Sequence, residues 1–293
     1  MNNTKIKFAY FGGEPLGVPV LEELKKAGLL PSLIVCSPDK PVGRKQVLTP
    51  PPVKVWAKEH GIAVYQPESY KGEGGTDAQA ELSAKNWDVF AVVAYNHILP
   101  QWLLDIPKHG VVNVHPSLLP SLRGASPIRT AILKDRRDDI GVSVMLLDEQ
   151  MDHGPILEQM HMPISNEQWP MAGPTLDKAL ARMGGALLAD ALPAHVAGEI
   201  LPQEQDHAAA TYCGKLTKAD SEIKLDPHNL PTGNEAQQLL HKVYAFTGIG
   251  DTFFMHDGKR VKINKAECSG GTFRPVTVTP EGKSPVPFLT WNS

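Results

Sequence analysis

The chain has little of what usually fixes a function class at once. It carries three cysteines in 293 residues, Cys36, Cys213 and Cys268, far apart and without the paired spacing of a disulfide framework or a zinc site. No apolar run approaches the roughly 18 residues that a membrane span needs. Neither sign of charge dominates: 29 Lys and Arg against 32 Asp and Glu leave a formal net charge of −3. A nucleic-acid partner would therefore have to be held by local basic patches and not by an overall field. The turn at residues 11–17, FGGEPLG, lacks the G-x-G-x-x-G spacing, and no acidic strand end follows at the ribose distance, which argues against a nicotinamide cofactor. His109, His115, His153 and His161 have neither helix-face nor cysteine partners, so no metal is expected. The opening MNNTKIKFAYFGG shows no cleavable leader pattern. With so little cysteine, a cytoplasmic chain is expected.

What is present reads as strands alternating with helices. Residues 6–13, IKFAYFGG, form an apolar strand that ends in two glycines, and residues 15–28 follow with helical spacing at Val18, Leu21 and Leu24 and a stop at Gly28. Further apolar strands read at 32–37, 63–67, 88–95, 110–115 and 140–148, with a helix at 179–198. Continuous apolar strands separated by helices imply a mostly parallel sheet covered by helices on both faces. Residues 39–54, DKPVGRKQVLTPPPVK, are too polar for core and too long for a mere connection, as functional loops are. The pattern weakens near residues 201–210. The chain is therefore divided into a large first domain (1–200), a linker (201–211) and a small C-terminal domain (212–293). That tail carries a helix at 235–246 and then short alternating segments, so it is expected to be mainly β.

Chemistry concentrates in residues 111–124, VVNVHPSLLPSLRG. Asn113 and His115 lie two apart on a strand and so face the same way, and ligands of open α/β sheets bind beyond the strand ends. Asp152, in the tight turn MDHG after a later strand, could reach the same place. Amide, imidazole and carboxylate together suit acyl transfer to an amine: Asn steadies a developing oxyanion, His handles charge and proton, and Asp fixes the imidazole. Taken singly, each also has a bland reading. A polar side chain at a strand end more often satisfies a buried partner, and an Asp in a glycine-containing turn is commonly a turn residue.

Those residues resemble the folate-dependent formyltransferases. The segments NVHPSLLPSLRGASPI (113–128) and GVSVMLLDEQMDHGPIL (141–157) are similar to that superfamily's signature, with Asn113, His115 and Asp152 at the positions of its catalytic Asn, His and Asp. Residues 8–24, the loop and helix at 37–69, the strand at 91–105 and three stretches of the tail (214–226, 245–263 and 280–289) are similar to its methionyl-tRNA formyltransferase branch. Gly13 stands where that branch usually has Thr, Asn96 where it has Gly, and His153 where it commonly has Thr. The tail is shorter than the branch's OB-like barrel.

The resemblance implies a Rossmann-like catalytic fold with a reduced OB-like barrel behind it. It also implies 10-formyltetrahydrofolate as formyl donor, with Ser117, Leu118, Leu119 and Pro120 holding the folate, and no metal. Initiator methionyl-tRNA is the implied acceptor, engaged through Arg44. From the local cation clusters, Lys45 and Lys54 of the loop and Lys259, Arg260 and Lys262 of the tail are assigned to tRNA phosphates as well. Neither a membrane nor an obligate protein partner is expected. An aminosugar acceptor on a sugar nucleotide would use the same donor site and the same Asn, His and Asp, and stands as the alternative. A binding module without turnover is a third class, which the intact Asn113, His115 and Asp152 argue against.

Overall fold

The computed structural model describes residues 6–43 and 45–292. In chain order the elements are β1 (Phe8–Gly12), α1 (Gly17–Lys26), β2 (Leu33–Val35), β3 (Lys40–Val42), β4 (Val47–Thr49), α2 (Pro52–Glu59), β5 (Val64–Tyr65), α3 (Gly72–Ser83), β6 (Val89–Val93), α4 (Gln101–Leu104), β7 (Val111–His115) and β8 (Arg123–Gly124). They continue with α5 (Pro127–Leu133), β9 (Gly141–Leu146), β10 (Ile156–His161), α6 (Gly173–Val196), β11 (Tyr212–Cys213), α7 (Gly233–Phe246), β12 (Thr252–His256), β13 (Lys259–Ser269), β14 (Thr272–Pro280), β15 (Val286–Pro287) and α8 (Phe288–Trp291). The chain forms two compact units. One comprises Met1–Arg123, Gly141–Met162 and Lys178–Thr211, the other Gly124–Ile140, Pro163–Asp177 and Tyr212–Ser293.

The first unit holds a seven-stranded sheet in the order β10-β9-β7-β6-β1-β2-β5. Strands β7, β6, β1, β2 and β5 run parallel, and β9 alone is reversed, antiparallel to both β7 and β10. Every residue of β1 and β6 is buried, which is why these strands read as unbroken apolar runs: both faces are covered. Aromatic side chains fill one face, with Phe11 and Phe90 5.0 Å apart between centroids and Trp87 against Phe90. The order reverses between β1 and β6, the place where open α/β sheets leave a crevice. Two mid-helix glycines of α6 let it pack closely. A Cβ on Gly185 would stand 2.9 Å from the Cα of Val20 in α1, and one on Gly184 would stand 2.6 Å from the Val114 side chain.

The second unit contains an antiparallel sheet in the order β12-β13-β14-β15, so the tail is mainly β as its alternation implies. The sheet is open, with β12 and β15 at its two ends. Leu240 and Val243 of α7 pack with Phe254, Val261, Ile263, Phe273 and Val278 in one core. Alternation along β13 puts Val261 and Ile263 inward and leaves Arg260 and Lys262 on the other face. All three cysteines are free thiols. Among the described residues no helix is long and apolar enough to cross a membrane.

Candidate active site

Strand β7 is buried except at Asn113, which is half-buried. The Asn113 amide makes no side-chain hydrogen bond among the described residues, so its donor is not used by them. His115, on the same face, is 4% exposed. Its Nε2 lies 3.1 Å from the carbonyl oxygen of Leu122, and its Nδ1 lies 3.5 Å from Oδ1 of Asp152. A carbonyl and a carboxylate facing the two ring nitrogens form a pair of acceptors, complementary to an imidazolium with both N–H groups donating.

Asp152 arrives by an indirect route. Because β9 runs antiparallel to β7, the loop after β9 starts beside the far end of β7, where the Leu147 amide donates to the Val111 carbonyl at 2.8 Å. The loop then returns along the strand until Asp152 meets His115. Asp152 adopts φ +52°, a left-handed conformation that Asp tolerates better than most side chains. The structure thus brings Asp152 to His115, two residues along the same face of β7 from Asn113.

The turn that follows β7 is pinned from beneath. Ser117 is fully buried and its hydroxyl donates to the Ser121 carbonyl at 2.6 Å. Ser143 Oγ donates to the Ser117 carbonyl and accepts from the Leu119 amide, while Gln159 donates to the Leu119 carbonyl at 2.9 Å. Ser117 and Leu119 are therefore internal supports of the turn, and Leu118 and Pro120 are its half-buried members.

At the ends of β1, β2 and β6 further polar groups meet that residue spacing did not flag as a site. Asn96 donates to Glu14, and Ser37 Oγ lies 2.9 Å from His97 Nε2. Burial, and secondarily Lys40, holds the His97 imidazole below its ordinary value. Behind them Tyr70 and Tyr95 share a hydrogen bond of 2.6 Å. Burial pushes the Tyr95 phenol up to about 12 and that of Tyr70 higher still. Arg123 and Gln205, 1% and 5% exposed, are two more residues that sequence reading passed over. They lie under the Asp152 loop.

The assigned cations have different surroundings. Strands β3 and β4 make an antiparallel hairpin whose strand residues are exposed, and Lys45 between them is exposed as well. Arg44 lies outside the described residues. Lys54 is internally bonded: its ammonium donates to both oxygens of Asp39 and to Gln66 Oε1 at 2.7 to 2.8 Å. The bonds from Lys54, and one that Gln66 Nε2 donates to Asp39, hold the Asp39 carboxyl below the usual carboxylate range. An ammonium has three donors, and those of Lys54 brace the base of the hairpin. In the second unit Lys259 is exposed, Arg260 lies over the Phe253 ring, and Lys262 stands 3.8 Å from Asp251. Among the described residues no group of three or more His, Cys, Asp or Glu is placed to hold a metal.

Comparison with known proteins bears on this arrangement. Residues 4–191 match the family described as formyl transferase. The chain is 39% identical over 262 residues to a methionyl-tRNA formyltransferase of Halalkalibacterium halodurans, covering 89% of this chain and 78% of that one. It is 41% identical over 240 residues to the protein of that name from Halorhodospira halophila, covering 82% and 73%. Among solved structures, an N-formyltransferase from Helicobacter canadensis, in complex with folinic acid and dTDP-3-aminofucose, superposes with a TM-score of 0.64 at 18% identity. It covers 90% of this chain and 88% of that one.

Proposed function

This chain belongs to the formyl transferase family, and from that premise we propose that it transfers the formyl group of 10-formyltetrahydrofolate to the α-amino group of initiator methionyl-tRNA. The products are formylmethionyl-tRNA and tetrahydrofolate. One observation carries the reading: His115 stands between the Leu122 carbonyl and Asp152, beside a donor-bearing Asn113, in a chain whose relatives named for this activity match over four-fifths of its length.

Each residue then has a role that its surroundings permit. The Asn113 amide, with no side-chain hydrogen bond among the described residues, donates to the oxyanion formed when the amine adds to the formyl carbon. His115, with both nitrogens turned toward acceptors, handles charge and proton beside that oxyanion. Asp152 keeps the ring oriented. The amine nitrogen bonds to carbon, the bond from carbon to the donor's nitrogen breaks, and one proton passes through water from the former nitrogen to the latter. No covalent enzyme intermediate is required. Leu118 and Pro120 line the folate site, with Ser117 and Leu119 supporting them. Arg44, Lys45 of the hairpin, and Lys259, Arg260 and Lys262 of the small C-terminal domain contact tRNA phosphates. The enzyme works in the cytoplasm, where donor and acceptor are found.

The test offers purified protein labelled 10-formyltetrahydrofolate together with initiator methionyl-tRNA and an amino-sugar nucleotide. Label on the tRNA supports the proposal. Label on the sugar replaces it with the aminosugar reading, and label on neither removes both.

A further inference from the structure

The loop that carries Asp152 is held by one buried amide. Gln205 Nε2 donates to the carbonyl of Asp152 at 2.9 Å and to that of Gly154 at 2.7 Å, so it grips the main chain on both sides of His153. Its Oε1 accepts from Nε and Nη2 of Arg123 at 3.1 and 2.7 Å. A side-chain amide has two donor hydrogens and two acceptor lone pairs, and all four are used here. The orientation is forced as well, because a guanidinium can only donate and a carbonyl can only accept. Turning the amide over would set donors against donors and acceptors against acceptors.

The chain of constraint continues outward. Arg123 Nη2 also lies 2.9 Å from His207 Nδ1, which must be the accepting nitrogen. The His207 ring stacks on His153 at 4.0 Å and 2°. His153 in turn directs Nδ1 at Asp148 Oδ2, 2.6 Å away. Asp152, in its left-handed conformation, thus has its own carbonyl clamped, while its carboxylate meets His115.

We infer that Gln205 is a positioning residue for the transfer reaction: its amide sets where the Asp152 carboxylate stands against His115, and Arg123 sets which way that amide faces. The inference rests on the proposed activity for its kinetic readout and on the structure alone for its spectroscopic one. Gln205→Glu keeps the size and the Arg123 partner but replaces the donor to the two carbonyls with an acceptor. Gln205→Met removes both ends without adding charge, so one variant remains if the other does not fold.

Either variant is expected to lower kcat for formylation about 10- to 100-fold, in line with the loss caused by sub-ångström misplacement of a reacting group. KM for both substrates should change less than threefold. In an Asp152→Asn background the same substitutions should have little further effect, since residues acting through one another are not additive. The nitrogen chemical shifts of the His115 ring in Gln205→Glu should move toward those of Asp152→Asn. A kcat within twofold of wild type, or an undiminished effect in the Asp152→Asn background, overturns the inference. If the wild-type protein does not formylate methionyl-tRNA, the acceptor reading fails by itself. The His115 shifts then decide the inference alone, and shifts in Gln205→Glu unchanged from wild type overturn it.

Discussion

Asn113 and His115 show what a two-residue spacing can and cannot say. It placed both side chains on one face of β7, yet gave no means of telling a catalytic pair from a buried hydrogen-bonded pair. The structure adds the partners: His115 has an acceptor at each nitrogen, and the Asn113 side chain has none among the described residues. Removing one oxyanion donor typically costs about 10²–10³ in turnover, so Asn113→Ala should lose that much kcat with folate affinity preserved, as measured by single-turnover kinetics and equilibrium titration. The buried tyrosines give a pH prediction. With the Tyr95 phenol pushed by burial up to about 12, ionisation is easier in the unfolded chain, where tyrosine titrates at about 10. Stability is then complete below about pH 10 and falls as pH rises toward 12. Denaturant midpoints across that range should decline, and Tyr95→Phe should flatten the decline. Arg123 and Gln205 were illegible because nothing in RGAS or PQEQD marks those two polar side chains as buried.

At the scale of elements, the strands with both faces covered were the easiest to read. Each is a continuous apolar run in a chain otherwise at 21% charged residues. The reversal of β9 was not readable, since a buried strand has the same composition in either direction, and that reversal decides how Asp152 reaches His115. The glycine pair of α6 is a packing feature that propensity alone would call a weakness. Gly185→Ala should cost about 1–3 kcal/mol by overpacking against Val20, seen as a lower urea midpoint with the same slope. The exposed β3–β4 hairpin keeps Lys45 available, whereas Lys54 is tied to Asp39. Lys45→Ala should raise KM for the tRNA and flatten its salt dependence by about 0.7–0.9 in the log–log slope, while Lys54→Ala should act mainly by lowering the melting temperature.

For the whole molecule, the sequence carried the plan of a wound sheet followed by a small β tail. The way the chain shares itself between two units was beyond it. Residues 124–140 and 163–177 belong with the tail although they lie within the stretch that matches the family, because helical segments such as α5 carry no mark of which core they will join. In the tail, Lys259→Glu should weaken tRNA binding without changing folate affinity, in a filter-binding assay beside a folate titration. The central claim is formyl transfer to the aminoacylated tRNA by Asn113, His115 and Asp152. Its most direct measurement is a single-turnover reaction of labelled 10-formyltetrahydrofolate with initiator methionyl-tRNA, run with the wild-type protein and with Asn113→Ala. The expected result is label on the α-amino nitrogen of the wild-type product and a rate about 10²–10³-fold lower in the variant; label that never reaches the tRNA, or equal rates in the two proteins, would contradict it.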